Sequence, residues 1–321
     1  MSFVLAHRPV GEPRGGLTSK VSRLMGDRSM RMSSLQRTLG KSVAFAGVGL
    51  HSGESCRIEL KPAEAGHGIV FRRADLPPGA NDIAARPECV VSADHGTTIA
   101  NEKGASIATI EHLMAALALT GIDNVLIDVE GPEIPILDGS SAAFVAAIAE
   151  TGVTTLSAER QALLVEEAQT IADGDRAIHL EPFDGRRIEI EIDFGDCMIG
   201  RQTLSLDLDN PKDISRLSRA RTFCRLHEVE ALQSAGLIRG GALTNGLVVD
   251  GHRLVNDEPL RDPAEFALHK ALDLIGDLYL LGAPVIGRIR AVKPGHALNT
   301  RAALALAHWP EAARRPARAT A

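Results

Sequence analysis

Residues 109–131 read TIEHLMAALALTGIDNVLIDVEG, and residues 266–282 read FALHKALDLIGDLYLLG. Both are apolar helical patterns that carry a histidine and close on a glycine, the usual C-terminal stop. In the first, Val125, Ile127 and Val129 follow the glycine and alternate with Leu126, Asp128 and Glu130, a strand with one face buried. The order strands, helix, glycine, strand, loop, helix then occurs twice along the chain, a faint internal repeat. His112 stands 9 residues before Gly121 and His269 stands 13 before Gly282, a difference of about one helical turn.

Outward from these segments, Cys56, Ile58 and Leu60 alternate with charged residues, as do Ile188, Ile190 and Ile192. SSAAFVAAIAETG (140–152) and TRAALALAHW (300–309) supply further helices. The expected fold is α+β: two similar halves, each giving a histidine from the equivalent helix, with a site between them. Residues 1–34, rich in Arg, Gly, Ser and Met and without period, are expected to be a disordered extension. A first domain is expected over 35–158 and a second over 159–308, with TTLSAERQ (154–161) breaking the pattern between them. Leu76–Pro87 and Leu237–Arg261 fit neither copy of the repeat and read as insertions, and 309–321 reads as a flexible tail.

Composition excludes several classes. Of 321 residues, 45% are apolar and 24% charged, ordinary for a globular protein. Lys and Arg number 35 against 41 Asp and Glu, and aromatics are only 3%, so a basic or base-stacking nucleic-acid binder is not expected. No apolar run reaches the roughly 18 residues of a membrane span. Cys56, Cys89, Cys197 and Cys224 are scattered without a CxxC pair, which fits a reducing, cytoplasmic setting. A monomer is the default state.

The chemistry sits on the two quoted helices. His269, Asp273 and Asp277 are spaced i, i+4, i+8 and line one helical face, so His269 and Asp273 can reach one divalent cation. The same spacing serves a polar face with a His–Asp hydrogen bond. The surrounding residues are apolar, however, and a buried carboxylate is costly unless paired or metal-bound. Glu111 beside His112 offers a ligand with an adjacent general base, or else a decorated helix start. Together His112, His269 and Asp273 form a three-ligand set suited to zinc with one position left open. His296, after Pro294-Gly295, is placed like a functional loop residue, with a histidine at a helix N-terminus as the other reading. His51 lies in the glycine-rich GVGLHSGE (47–54), and Lys270 and Lys293 neighbour the histidines of interest.

GVGLHSGE (47–54), TIEHLMAALALTGIDNVLIDVEGPEIPILDGSSAAFV (109–145), SRARTF (218–223), HKALDLIGDLYLLG (269–282) and KPGHALN (293–299) resemble, in order, the motifs of the UDP-3-O-acyl-N-acetylglucosamine deacetylases. That family comprises zinc amidases that commit carbon to lipid A. The resemblance, from about Leu35 to Ala307, implies two domains, each a β-sheet layered against helices, with a different insert in each and the active site between them. It implies zinc on His112, His269 and Asp273, Glu111 as general base, and His296 as general acid oriented by Asp277. It further implies Thr222 at the oxyanion, and substrate contacts at His51, Asp193, Phe194, Phe223, Lys270 and Lys293. A βαβ insert near 223–250 would form the acyl-chain passage. The implied partner is the UDP-sugar substrate, and the ligand set admits ferrous iron as well as zinc. Three features depart from the family pattern: residues 1–34, Pro294 in the loop before His296, and Val91–Ile99, which carries no cysteine. Two rivals stand beside this reading. A zinc peptidase is disfavoured because HExxH is absent. A non-catalytic sugar-nucleotide or lipid binder would need no general base.

Overall fold

The computed structural model describes residues 33–309 and 313–317. The first half runs β1 (Leu35–Leu39), β2 (Val43–Val48), β3 (Ser55–Pro62), β4 (Ile69–Arg73), β5 (Asp82–Ala84), β6 (Val90–Ser92), β7 (Thr98–Ala100), β8 (Ser106–Ile107), α1 (Glu111–Thr120), β9 (Val125–Glu130), α2 (Ala142–Thr151) and β10 (Val153–Glu159). The second runs β11 (Gln161–Leu164), β12 (Gln169–Asp173), β13 (Arg176–Glu181), β14 (Arg186–Asp193), β15 (Arg201–Asp207), α3 (Pro211–Ser218), β16 (Phe223–Arg225), α4 (Leu226–Ser234), β17 (Leu247–Asp250), β18 (Arg253–Leu254), α5 (Glu265–Leu278), β19 (Val285–Val292), α6 (His296–Ala307) and β20 (Arg314–Pro316).

The repeat is visible in the strand order. The strand that follows α1, β9, lies between antiparallel β3 and parallel β4 in a five-stranded sheet. The strand that follows α5, β19, lies between antiparallel β13 and parallel β14 in a seven-stranded sheet. In both, period-2 alternation puts one face of each strand inward: Cys56, Ile58 and Leu60 on β3, and Ile188, Ile190 and Ile192 on β14, are buried.

α1 and α5 pack against each other, α2 covers β2, and α5 lies on β14 and β15. Both central helices are apolar around nearly their whole circumference. On α1 only Ala118 is part-exposed, and on α5 only Lys270, the pattern of a helix inside a core. One continuous apolar cluster runs from Leu39 through both helices to Leu306. The crossing is close. A Cβ added at Gly276 would overlap the Glu111 carbonyl oxygen, so this glycine lets the two backbones touch. α1 ends where its glycine predicts, Gly121 adopting φ 69°.

Three segments differ from expectation. TTLSAERQ is strand except for Arg160, because β10 turns back to pair with β1 and β11 begins at once in the second sheet. Leu76–Pro87 is not an insertion outside the sheet, since Asp82–Ala84 forms its edge strand β5 against β4. The separate small sheet of this half is β6-β7-β8, over 90–107. The tail 309–321 contains β20, which pairs with β11, and Ala317 is buried; three residues are too few to show a period. Of the expected extension 1–34, residues 1–32 lie outside the described residues, while the Ser34 carbonyl already accepts a 2.9 Å hydrogen bond from the Arg160 N–H. In the second half β16, α4 and β17 form a crossover unit whose two strands pair in parallel, Phe223 opposite Leu247. Among the described residues no helix is long and apolar enough to cross a membrane.

Candidate active site

The facing helices bring His112, the second residue of α1, to His269 and Asp273, one turn apart on α5. Among the described residues one group of three or more His, Cys, Asp or Glu side chains is close enough to share an ion. It is His112, His269 and Asp273, all buried, with ligand atoms within 4.8 Å of one another. Asp273 Oδ1 stands 3.3 Å from His269 Nε2 and 3.7 Å from His112 Nε2. His269 Nδ1–H donates to the Ala220 carbonyl at 3.0 Å, which leaves Nε2 as the lone-pair nitrogen. Burial favours the neutral ring strongly and holds the His269 pKa at about 3. For Asp273, burial would raise the carboxyl, but His269 and the Lys270 ammonium, 3.0 Å from Oδ2, hold it well below the usual carboxylate range. Asp273 Oδ1 is buried and accepts no hydrogen bond. The His269 Nε2 lone pair and an Asp273 oxygen without a hydrogen-bond partner thus face one space, with His112 Nε2 beside them. A buried carboxylate oxygen in that state is costly unless a cation meets it, so the donor set fits a divalent metal.

Two titratable side chains flank this trio. Glu111 opens α1 and is buried; burial raises its carboxyl above the ordinary value, although His296 and His112 oppose the shift. Thr97 N–H donates to Glu111 Oε2 at 2.9 Å. Across the cleft, His296 is the first residue of α6, with Gly295 as the extended cap, so it is a helix N-terminal histidine rather than a loop residue. Its Nδ1–H donates to Asp277 Oδ2 at 3.0 Å, and Asn299 Nδ2–H reaches the same oxygen at 2.9 Å. Burial disfavours the imidazolium, but Asp277, Asp273 and Glu111 outweigh it and raise the pKa to about 9. His296 Nε2 then points toward the metal-binding trio, 3.9 Å from Asp273 Oδ2.

A cleft of about 630 Å³ opens from these groups toward the β16–α4–β17 unit. Its inner end is lined by Glu111, His112, His269, Asp273, His296 and Thr222, and its outer wall by apolar residues of α4 and the following loop. The halves are stapled along it: Thr222 N–H donates to the Gly139 carbonyl at 2.8 Å, and Arg261 pairs with Asp138 at 2.8 Å.

A family model described as UDP-3-O-acyl N-acetylglycosamine deacetylase matches residues 36–308. The chain belongs to this deacetylase family. Among similar curated proteins, the UDP-3-O-acyl-N-acetylglucosamine deacetylase of Phenylobacterium zucineum (strain HLK1) is 44% identical over 277 residues, 86% of this chain and 94% of its own length. The protein of the same name from Myxococcus xanthus (strain DK1622) is 46% identical over 271 residues, covering 84% of this chain and 86% of its own.

Not all of the residues that the family resemblance implicates come together. His51, Phe223 and Lys270 line the same cleft of this deacetylase-family chain. His51 Nε2–H reaches the His95 carbonyl at 3.0 Å, and Lys270 Nζ lies 5.6 Å from the Phe223 ring centroid. Phe194 stands behind Phe223, ring centroids 5.4 Å apart, and Asp193 caps its own turn by accepting from Gly195 N–H at 3.0 Å. Neither lines the cleft, and nor does Lys293, whose ammonium pairs with Asp175 at 2.6 Å. Asp277 does not line the cleft either. Three buried groups escape a sequence reading. Thr97 and Asn299 hold Asp277, and Glu133 accepts from His51 N–H, Ser52 N–H and the Thr109 hydroxyl. Glu133 lies in GPEIP, between Pro132 and Pro135, and that was its one sequence signal.

Proposed function

We propose that this chain hydrolyses the N-acetyl group of UDP-3-O-acyl-N-acetylglucosamine, giving acetate and the free amine, the committed step of lipid A synthesis, in the cytoplasm. One observation carries the reading. The buried Asp273 Oδ1 lacks a hydrogen-bond donor and faces two histidine nitrogens, between a carboxylate whose pKa is raised and a histidine held cationic. A pure binding protein has no use for that pair.

His112, His269 and Asp273 would hold the zinc, or ferrous iron, which supplies Lewis acidity toward water and the amide carbonyl when bound. Glu111 takes the proton of the attacking water as its oxygen bonds to the acetyl carbon; its raised pKa suits a group that must gain and hold a proton. The Thr222 hydroxyl donates to the developing oxyanion. His296 gives its Nε2 proton to the departing sugar nitrogen as the C–N bond breaks, with Asp277 fixing the tautomer and stabilising the cation. The apolar wall, including Val229, Leu232, Leu237, Ile238 and Leu243, suits an acyl chain. His51, Phe223 and Lys270 supply polar and aromatic contacts to the sugar nucleotide, and Asp193, Phe194 and Lys293 extend them outside the cleft.

The test is metal analysis with turnover of the UDP-sugar amide. Removing metal by chelation abolishes release of the amine, and zinc restores it. Glu111→Gln and His296→Ala keep the metal but lower kcat by about 10²–10⁴-fold. Near-full activity in either variant overturns the assignment.

A further inference from the structure

We propose that Thr97 is a positioning residue that fixes the proton acceptor and the proton donor of the site relative to each other. The inference rests on the reading of Glu111 and His296 just given. Thr97 precedes β7, in the small sheet of 90–107, and belongs to neither central helix. Its side chain is wholly buried. Each of its polar groups is committed to the site. The backbone N–H donates to Glu111 Oε2 at 2.9 Å, and the carbonyl accepts from Ile110 N–H, at the start of α1, at 3.2 Å. The hydroxyl donates to Asp277 Oδ1 at 2.5 Å and stands 3.5 Å from His296 Nδ1.

A threonine hydroxyl has one hydrogen to give. Spent on Asp277 Oδ1, it leaves Oδ2 for His296 Nδ1–H and Asn299. The carboxylate is then held by three donors and cannot rotate away from the imidazole. The same residue holds Glu111 through its main chain, so one rigid unit spans the acid and base sides. The approach is tight. His95 sits at φ 60°, a conformation that non-glycine residues rarely adopt, and a Cβ on Gly96 would stand 3.2 Å from Glu111 Oε1. Backbone strain at such a place marks a segment whose position is imposed by what it must reach.

Loss of the hydroxyl frees Asp277 and His296 without touching substrate. Thr97→Val, which keeps the shape, therefore lowers kcat by roughly ten- to a hundred-fold, the cost of a small misplacement of reacting groups. KM changes by less than about two-fold, because no ground-state contact is removed. Metal content and melting temperature stay close to the parent's. Thr97→Ser, which keeps the hydroxyl and loses the methyl, restores most of kcat. A packing role gives the reverse order, with Val harmless and Ser costly, and overturns the proposal. So does a Thr97→Val protein with parental kcat, or one whose lost activity tracks lost metal. Glu111→Gln measured alongside separates the two readings: if it is inactive while Thr97→Val is normal, only the role of Thr97 falls, whereas an active Glu111→Gln removes the frame on which both stand.

Discussion

His296 lies among three carboxylates, and in the proposed mechanism its proton is the one that the leaving nitrogen needs. Burial works against the cation; Asp277 first, then Asp273 and Glu111, reverse that and bring the pKa to about 9 from an ordinary 6.5. A pKa raised by folding stabilises the fold fully below the ordinary histidine value, and the contribution is lost as pH rises through about 9. The rate should follow the same proton. We expect a bell-shaped dependence of kcat/KM on pH, its alkaline limb reporting the His296 proton. Asp277→Asn removes the largest favourable charge and shifts that limb to lower pH, which a rate profile across the alkaline range would show; an unmoved limb means that another group titrates there. Much of this was legible in the chain, because His269, Asp273 and Asp277 obey helical period in an apolar surround. Thr97 was not. It sits in ADHGTTIA, a stretch without period, and its partners lie 14 and 180 residues away.

The crossing of α1 and α5 sets the distances between the candidate ligands, and Gly276 sets the crossing. Gly276→Ala adds a methyl group where the Glu111 carbonyl oxygen already lies, so the helices must separate. The expected cost is about 1–3 kcal/mol, typical of overpacking in a well-filled core. Metal affinity should fall with it, since His112 rides on one helix and His269 and Asp273 on the other. Denaturant melts and a competition titration with a chelator would measure both; a stable variant with loosened metal would assign Gly276 to the site rather than the core. At this scale the long elements were readable and the short ones were not. Both central helices, β3, β9 and β14 carry six or more patterned residues. β5 and β20 have three each, too few to show a period, and β20 pairs with a partner far along the chain.

Across the whole molecule, the ends of the two central helices meet at a buried polar cluster. Arg160 Nε–H donates to Asp123 Oδ1 at 2.7 Å and Nη2–H to the Tyr279 hydroxyl at 3.2 Å, which in turn donates to the Ile122 carbonyl at 2.9 Å. Burial pushes the Asp123 carboxyl up even with Arg160 beside it, so its partners do not fully offset the desolvation of the carboxylate, although Arg160 itself stays fully cationic. Breaking it is a different matter, because Asp123→Ala strands the Arg160 guanidinium at 2% exposure. We expect a loss of about 3–5 kcal/mol by chemical denaturation, and little loss when both partners are replaced by apolar residues of similar volume. That Arg160 alone stands between β10, paired with β1 in a two-stranded sheet, and β11 of the seven-stranded sheet was hidden from a sequence reading, which took the segment for a break. The repeat also has a consequence in time. The five-stranded sheet needs nothing beyond Glu130, whereas β19, the strand onto which β11, β13 and β14 all pair, spans Val285–Val292. A nascent chain leaving the ribosome can therefore finish its first sheet early, while strands of the second wait, edges open, for their centre to be made. His112, His269 and Asp273 all emerge before that strand, so the candidate ligands exist as residues before they exist as a site.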